Sequence, residues 1–113
     1  MSSVTNIDLA TLTAEAAQSF VDRVFRLTHE GQTLELTLFE VIPFEPRRRR
    51  PRPSSAPLQQ RRTPFSIYFL GPPQPVLSQG MYDIESGDLT MAGVFLVPVA
   101  GDAEGSEYEA VFS

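Results

Sequence analysis

Short runs of alternating polar and apolar residues, separated by turns, are the feature that most restricts the folds open to this chain. In residues 33–38 three leucines alternate with threonine and glutamate, so the leucines face a core and the polar side chains face water. Residues 107–112 alternate in the same way and place Tyr108, Ala110 and Phe112 on one face. Short alternating segments between turns are typical of an all-β domain.

The alternation and the turn residues predict about six strands in successive hairpins. We expect these strands over residues 24–28, 33–41, 65–70, 76–85, 89–99 and 107–112. The pattern slips after Leu38, which predicts a β-bulge near residues 38–39 with Phe39 and Val41 pointing inward. Gly93 marks a bulge or a corner, and Pro98 requires an edge or the end of a strand.

A single core has to serve the whole chain, because 113 residues form one small domain. We therefore expect one β domain over residues 1–113. A small antiparallel barrel or rolled sheet suits this size better than a two-sheet sandwich.

The N-terminal part of the chain predicts a short helix. Residues 1–10 are polar and are expected to be loose. Thr13 is placed to cap a helix over residues 14–21, which contains no glycine or proline. Helical spacing puts Leu12, Ala16 and Phe20 on one face, and we expect that face to cover one end of the sheet.

Residues 43–64 differ from the rest of the chain and predict a long loop inserted between two strands. This segment contains six of the ten prolines and seven of the nine arginines. So many prolines disfavour both helix and strand and favour extended polyproline conformations. The seven arginines are Arg47, Arg48, Arg49, Arg50, Arg52, Arg61 and Arg62.

The net charge of −5 conceals a separation of charge along the sequence. No acidic residue lies between residues 47 and 62, and outside that window only Arg23 and Arg26 balance fourteen Asp and Glu residues. The chain outside the window therefore carries −12. The sequence describes an acidic body with one basic insert.

The residues that support common catalytic and metal sites are scarce. The chain has no cysteine and one histidine, His29, so thiolate chemistry and multi-histidine metal sites are excluded. The serines lack a histidine partner in a nucleophile motif. The carboxylate pairs Glu107 with Glu109 and Asp83 with Glu85 are expected on the outer faces of strands. We therefore expect no catalytic residue, no metal site, no cofactor and no enzymatic activity.

The basic insert is the one feature that calls for a partner. Arginine binds phosphates bidentately, so the seven arginines are candidate anion-binding or partner-binding residues. They can instead cover the acidic surface of the same chain or of a sister subunit, or remain solvated. An acidic protein is a further candidate partner. Nucleic acid and anionic lipid are disfavoured, because the body is acidic and few aromatic residues accompany the arginines.

Targeting features are few. No run reaches the length of about 18 apolar residues that a membrane-spanning helix needs. The N-terminus lacks the basic and apolar regions of a secretory signal, so cytoplasmic synthesis is expected.

Several segments together resemble a family of small bacterial proteins known only as a domain of unknown function. The resemblance is carried by F-S-I-Y-F-L-G-P at residues 65–72, L-S-Q-G-M-Y at 77–82, F-L-V-P-V at 95–99 and Y-E-A-V-F at 108–112. It covers about residues 12–113, apart from the basic insert. Within it, the element from Gln79 to Tyr82 is expected to be a turn, with a positive φ at Gly80 and a rim-bonded hydroxyl on Tyr82.

The resemblance implies a biological setting but no catalytic residues. Members of that family tend to be encoded beside fibre-forming proteins related to phage-tail collars. The leading hypothesis is therefore a structural or interaction protein, an accessory or assembly factor for a tail-collar-like fibre, located in the cytoplasm or in that assembly. An anion-binding module acting through the arginines is the alternative, an enzyme built on a barrel is the third hypothesis, and homo-oligomerisation stays open.

Overall fold

Six antiparallel strands close into a barrel, in a computed structural model that describes residues 5–44 and 64–112. The elements are β1 (Thr5–Asn6), α1 (Ala14–Gln18), β2 (Val24–His29), β3 (Gln32–Pro43), β4 (Phe65–Gly71), β5 (Gly80–Ser86), β6 (Leu89–Asp102) and β7 (Gly105–Phe112). Around the barrel the strands follow the order β5-β2-β3-β4-β7-β6, and β6 returns to β5. The prediction of a small all-β barrel is confirmed.

Local turn chemistry explains the tight hairpins. Between β2 and β3, Glu30 and Gly31 both have positive φ, of 52° and 79°. Between β5 and β6, Gly87 has a φ of 62°. Between β6 and β7, the Asp102 carboxylate accepts hydrogen bonds from the backbone of Glu104 and Gly105. These turns join neighbouring antiparallel strands with few residues.

The predicted bulge in β3 is present, but its effect on Phe39 differs from the expectation. Leu38 pairs with Phe69 and Glu40 pairs with Tyr68, so one extra residue lies between them. Leu38 and Val41 face the core. The inward placement of Phe39 is wrong: the extra residue leaves its ring half-buried outside the core, 6.3 Å from the ring of Tyr68.

Strand β6 passes from one neighbour to another along its length. Its first half, to Leu96, pairs with β5, and its second half, from Val97, pairs with β7. Gly93 has a φ of 69° at the register shift opposite β5, which confirms the predicted bulge. Pro98 lies beyond the pairing with β5 and next to a second register shift, at Val99. It therefore lies where β6 has no partner on the β5 side, as expected for a residue without a backbone N–H.

The barrel interior is filled with apolar side chains from all six strands. Phe25, Leu36, Ile67, Phe69 and Leu96 are completely buried. Edge-to-face contact joins the rings of Phe25 and Phe69 at 5.9 Å. Because these side chains fill the interior, the centre of the barrel is a packed core.

Helix α1 is shorter than predicted, and of its predicted inner face Leu12 and Phe20 contact the core but Ala16 does not. Thr13 accepts a hydrogen bond from Ala16, which confirms the predicted cap. After Gln18 the chain tightens into turns and reaches Asp22 at a φ of 75°, so the helix cannot continue to residue 21. Ala17 rather than Ala16 is buried, so the prediction for Ala16 is wrong.

The first described residues form a strand, which differs from the expectation of a loose segment. Thr5–Asn6 run parallel to the start of β6, in register with Leu89 and Thr90. Among the described residues, no helix is long and apolar enough to cross a membrane.

The basic insert leaves and re-enters the barrel at one place. Pro43 pairs with Phe65, and the Phe44 amide donates a 2.8 Å hydrogen bond to the Pro64 carbonyl. Residues 45–63, which form nearly all of the predicted loop over residues 43–64, lie outside the described residues.

Candidate functional site

The predicted arginine site cannot be placed in the described part of the barrel. Arg47, Arg48, Arg49, Arg50, Arg52, Arg61 and Arg62 all lie outside the described residues. The two described arginines both have partners within the barrel wall. Arg23 donates a hydrogen bond to Ser86, and Arg26 forms an ion pair with Glu35.

An exposed apolar surface crosses the outer wall near the point where the insert is attached. We call it the apolar band and define it by Ile42, Phe44, Met81, Phe95 and Val111. Met81 pairs with Phe95, and Phe95 and Val111 line the same cleft, so these three side chains are neighbours. Ile42 is separated from Val111 by the buried Ser66, with which both of them pair.

The exposure of the band is large for apolar side chains. Met81 is 69% exposed, Val111 is 57% exposed and Phe95 is 45% exposed. Single exposed apolar residues are ordinary on protein surfaces, but contiguous apolar patches mark interaction sites. The band is therefore the surface with the strongest signal for a partner.

A cleft opens within the band between β6 and β7. The pairing of these strands begins at Val97 and Glu109 and continues toward their shared turn. On the other side of that pair the strands separate, and Phe95 and Val111 stand on the two sides of the opening. The cleft has a volume of about 250 Å³.

The floor of the cleft is closed by core residues. Val94 and Ala110 line it and are only 1% exposed, and Leu9, Gly93 and Phe112 complete the lining. Gly93 leaves space, because a methyl group added there would meet only the Met81 sulfur, at 3.9 Å. The cleft is thus shallow and does not lead into the barrel interior, and because its lining side chains are all apolar, the polar part of its surface comes from the backbone of the separating strands.

A hydrogen-bonded carboxylate lies beside the band. Glu109 Oε2 accepts a 2.7 Å bond from the Ser66 hydroxyl and a 2.9 Å bond from the Tyr68 hydroxyl. The bond to Glu109, together with burial and the negative charge of Glu109, raises the pKa of Tyr68 above 10.0. Tyr68 therefore stays protonated at neutral pH and holds the carboxylate in place.

Other carboxylates lie close to the cleft. Asp83 Oδ1 accepts a 2.8 Å bond from the amide of Gly93, which lines the cleft. Asp8 precedes the cleft residue Leu9 and accepts a 3.0 Å bond from the Ala10 amide. Among the described residues the charged side chains near the cleft are therefore carboxylates, since both described arginines bind elsewhere.

The polar groups near the band do not form a nucleophile site. Ser66 is completely buried and its hydroxyl donates to Glu109, so a substrate cannot reach it in this arrangement. In the described ranges, residues 5–44 and 64–112, no three His, Asp or Glu side chains lie together as a metal site.

The carboxylate pairs and the tyrosine turn are placed largely as the sequence predicts. Glu107 and Glu109 lie on the outer wall of β7, and Asp83 and Glu85 are exposed on β5. Tyr82 donates a 2.6 Å bond to the Ser78 carbonyl, as expected for a hydroxyl at the rim. The predicted positive φ at Gly80 is wrong: Gly80 is the first residue of β5, where the backbone is already extended.

Sequence reasoning missed the apolar band. Residues 94–99 read Val-Phe-Leu-Val-Pro-Val, so alternation cannot separate the inward residues from the outward ones. The signal lies in the paired strands, where the exposed Asp83 on β5 and the buried Tyr108 on β7 show which alternate residues face outward. That pattern places Phe95 and Val111 outside only when the register is known.

Comparison with known proteins identifies the family of this chain. No curated protein and no solved structure matches the chain. A family model described as a domain of unknown function matches residues 12–112, which is nearly the whole chain. The chain therefore belongs to the family named domain of unknown function DUF6916.

Proposed function

We propose that this protein is a non-enzymatic interaction protein that binds another protein through the apolar band. The observation that carries the proposal is the group of exposed apolar side chains on β3, β7, β6 and β5, on a body that is otherwise strongly charged. The described residues contain two arginines and thirteen carboxylates, a formal charge of −11. Against such a background an exposed apolar surface favours a specific docking role.

Three features support a binding role over catalysis. The barrel interior is filled, the cleft has a closed apolar floor, and the carboxylate of Glu109 is held by a buried serine and a protonated tyrosine. Enzyme sites usually combine a deeper pocket with several polar groups that converge on it.

The finer proposal is an accessory or assembly factor for a tail-collar-like fibre. It is motivated by the sequence resemblance described above, and a small rigid barrel with one apolar surface is well suited to holding or capping a second protein. A partner that covers the band removes its apolar area from water, which stabilises the complex by about 25 cal/mol for each Å² buried.

Co-purification tests this proposal. The chain is co-expressed with a tail-collar-like fibre protein from the same genome, and the complex is measured by affinity capture and light scattering. Capture by the unaltered chain is expected, and the double variant F95S/V111S should reduce it at least about tenfold, because it removes apolar contact at the centre of the band.

The matched control is V24S/V99S, which removes two exposed apolar side chains outside the band. We expect it to retain capture. Failure of the unaltered chain to capture the fibre protein overturns the fibre proposal, and equal losses in the two double variants overturn the role of the band.

An anion-binding module is the alternative function, motivated by the arginines of residues 47–62. The −11 charge of the described body opposes a polyanion, so binding requires the insert to dominate at low salt. Serine substitution of residues 47–50 should then abolish binding to RNA, DNA or acidic vesicles. No binding by the unaltered chain at low salt eliminates this alternative.

A further inference from the structure

We infer that the β6–β7 cleft is a strand-addition site, where an extended segment of the partner protein pairs through its backbone with an unpaired edge of β6. This inference rests on the proposed interaction role and specifies how the partner is recognised. The occupant is a single chain segment without proline, recognised through its amide and carbonyl groups rather than through one particular side chain.

The edge of β6 that faces the cleft lacks a strand partner over six residues. On this side of β6, β1 pairs with Leu89 and Thr90, and β7 pairs from Val97 onward. Residues 91–96 lie between these two segments and, in the described part of the chain, are in register only with β5. An unpaired strand edge presents a row of amide and carbonyl groups that can pair with another chain.

The surface of the cleft has the composition of such an edge. All of its lining side chains are apolar, so its polar surface belongs to the backbone of the lining residues. Gly93 has no side chain to cover that backbone. Amide and carbonyl groups that lose water need hydrogen-bond partners. An occupant therefore has to supply amide and carbonyl groups of its own, as an added strand does.

The residues of this edge do not protect it from pairing. Residues 91–96 contain neither a charged residue nor a proline, and natural proteins use both to keep strand edges from pairing with other chains. The bulge at Gly93 is a register shift against β5, on the side away from the cleft. Phe95 and Val111, which flank the opening, are uncharged and exposed. The edge is therefore open to an incoming strand.

Strand β1 shows that this side of β6 accepts an added segment. It is only two residues long, both of its side chains are exposed, and the amide of Ile7, next to it, donates a 2.8 Å bond to the Thr90 carbonyl. Asp8 then begins a turn, in which it accepts bonds from the amides of Ala10 and Thr11. The chain's own segment thus leaves β6 where the unpaired edge begins.

The shape of the opening favours one extended segment over a helix or a second barrel. The cleft holds about 250 Å³, which has room for a short length of one chain. A helix is about 10–12 Å wide and uses its backbone groups internally. The edge also lies within the barrel wall, between β1 and β7, and each of the six wall strands of a second copy already has two neighbours. We therefore assign the cleft to an extended segment of a different protein.

Peptide titration of the full chain tests the inference. The probe is the uncharged, capped pentapeptide Ser-Val-Thr-Val-Ser, followed by amide shifts in nitrogen–proton NMR spectra. We expect saturable shifts in residues 92–96 and at Val111. The matched peptide has the same side chains and carries N-methyl groups on its three central residues. It should bind at least about tenfold more weakly, because it has lost amide donors and kept every apolar group.

Hydrogen exchange provides the second arm. The probe at saturation should slow exchange in residues 92–96 at least about fivefold, and the N-methylated peptide should leave it unchanged. The double variant F95S/V111S removes two flanking side chains and keeps the backbone edge. It should weaken binding of the probe less than the N-methyl groups do, and retained spectral dispersion reports its fold.

Several outcomes overturn the inference. They are an absence of saturable shifts at millimolar probe, equal binding of the two peptides, shifts centred on β2, or a larger loss from F95S/V111S than from N-methylation. Slow exchange throughout residues 92–96 in the free chain also overturns it, because the edge would then already be paired by this chain or a second copy.

Failure here differs from failure of the proposed function. Capture of the fibre protein that depends on Phe95 and Val111 would survive a negative peptide result, because side-chain contacts alone can hold a partner on the band. Binding of the probe without capture of the fibre protein would keep the strand-addition site and remove the fibre partner.

Discussion

The barrel has two places where strand pairing is incomplete, and their outer surfaces differ in chemistry. At the cleft, β6 and β7 separate between apolar side chains. Across the β5–β6 pair from the cleft, β2 and β5 share one registered pair, Arg26 with Glu85. We call this second place the polar seam.

The polar seam is larger than the cleft, and most of the side chains around it are charged or carry hydroxyl groups. It encloses about 470 Å³, and its lining combines core residues such as Ile84 with Thr28, Asp83, Glu85 and Arg26. Charged and hydroxyl side chains remain well hydrated, and charges at an incompletely paired strand discourage pairing with other chains. An opening in the barrel wall therefore indicates a docking site only when its outer residues are apolar.

The largest expected effect concerns what holds the polar seam together. If apolar packing beneath the seam compensates for the missing pairs, I84A should lower the free energy of unfolding by about 2–5 kcal/mol, because it leaves a cavity at a residue only 1% exposed. Urea unfolding measures this loss. A loss below about 1 kcal/mol would contradict a packed seam and make it an opening comparable to the cleft.

The next effect concerns the bulge that shapes the cleft. G93A should cost about 1–2 kcal/mol, because an L-residue at a φ of 69° is strained even though the added methyl group has space. The control is G80A, where φ is not positive and the added methyl group meets ordinary contacts of 3.9–4.0 Å. Urea unfolding of both variants gives the difference, and equal costs would show that the bulge does not require glycine.

The elements that were predicted correctly from the sequence are those determined by residues close to one another along the chain. The strands, the Thr13 cap and the bulges near Leu38 and Gly93 all have local signals. The buried face of α1 was misassigned because a five-residue helix gives too little periodicity to distinguish Ala16 from Ala17.

The candidate site depends on information that is not local. The cleft exists because β6 leaves β5 at Leu96 and joins β7 at Val97, which only the barrel register determines. The sequence directed attention to the arginines, whose charge is visible without a fold. The apolar band became visible only when the paired strands set which residues face outward.

A smaller effect tests the carboxylate that borders the apolar band. The raised pKa of Tyr68 means that its contribution to stability is fully present below pH 10.0, the ordinary tyrosine value, and is lost as the pH rises through the raised pKa. Y68F should cost about 0.5–1.5 kcal/mol at neutral pH through the lost hydrogen bond to Glu109.

As the pH rises above about 10, the free energy of unfolding should fall less for Y68F than for the unaltered chain. Urea unfolding across this range measures the two slopes, and Y82F is the control, because Tyr82 donates to a neutral carbonyl. Identical slopes for Y68F and the unaltered chain would contradict a Tyr68 hydroxyl bound to the Glu109 carboxylate.

The smallest effect belongs to the exposed ion pair between β2 and β3, next to the polar seam. Arg26 and Glu35 are 3.4 Å apart, and their side chains are 63% and 61% exposed, so water and salt screen the attraction. A double-mutant cycle with R26A and E35A should give a coupling of no more than about 0.5 kcal/mol, which falls further in high salt. A coupling above about 1 kcal/mol would contradict this screening and would make the ion pair a real contributor to the pairing of β2 with β3, rather than a solvated surface contact.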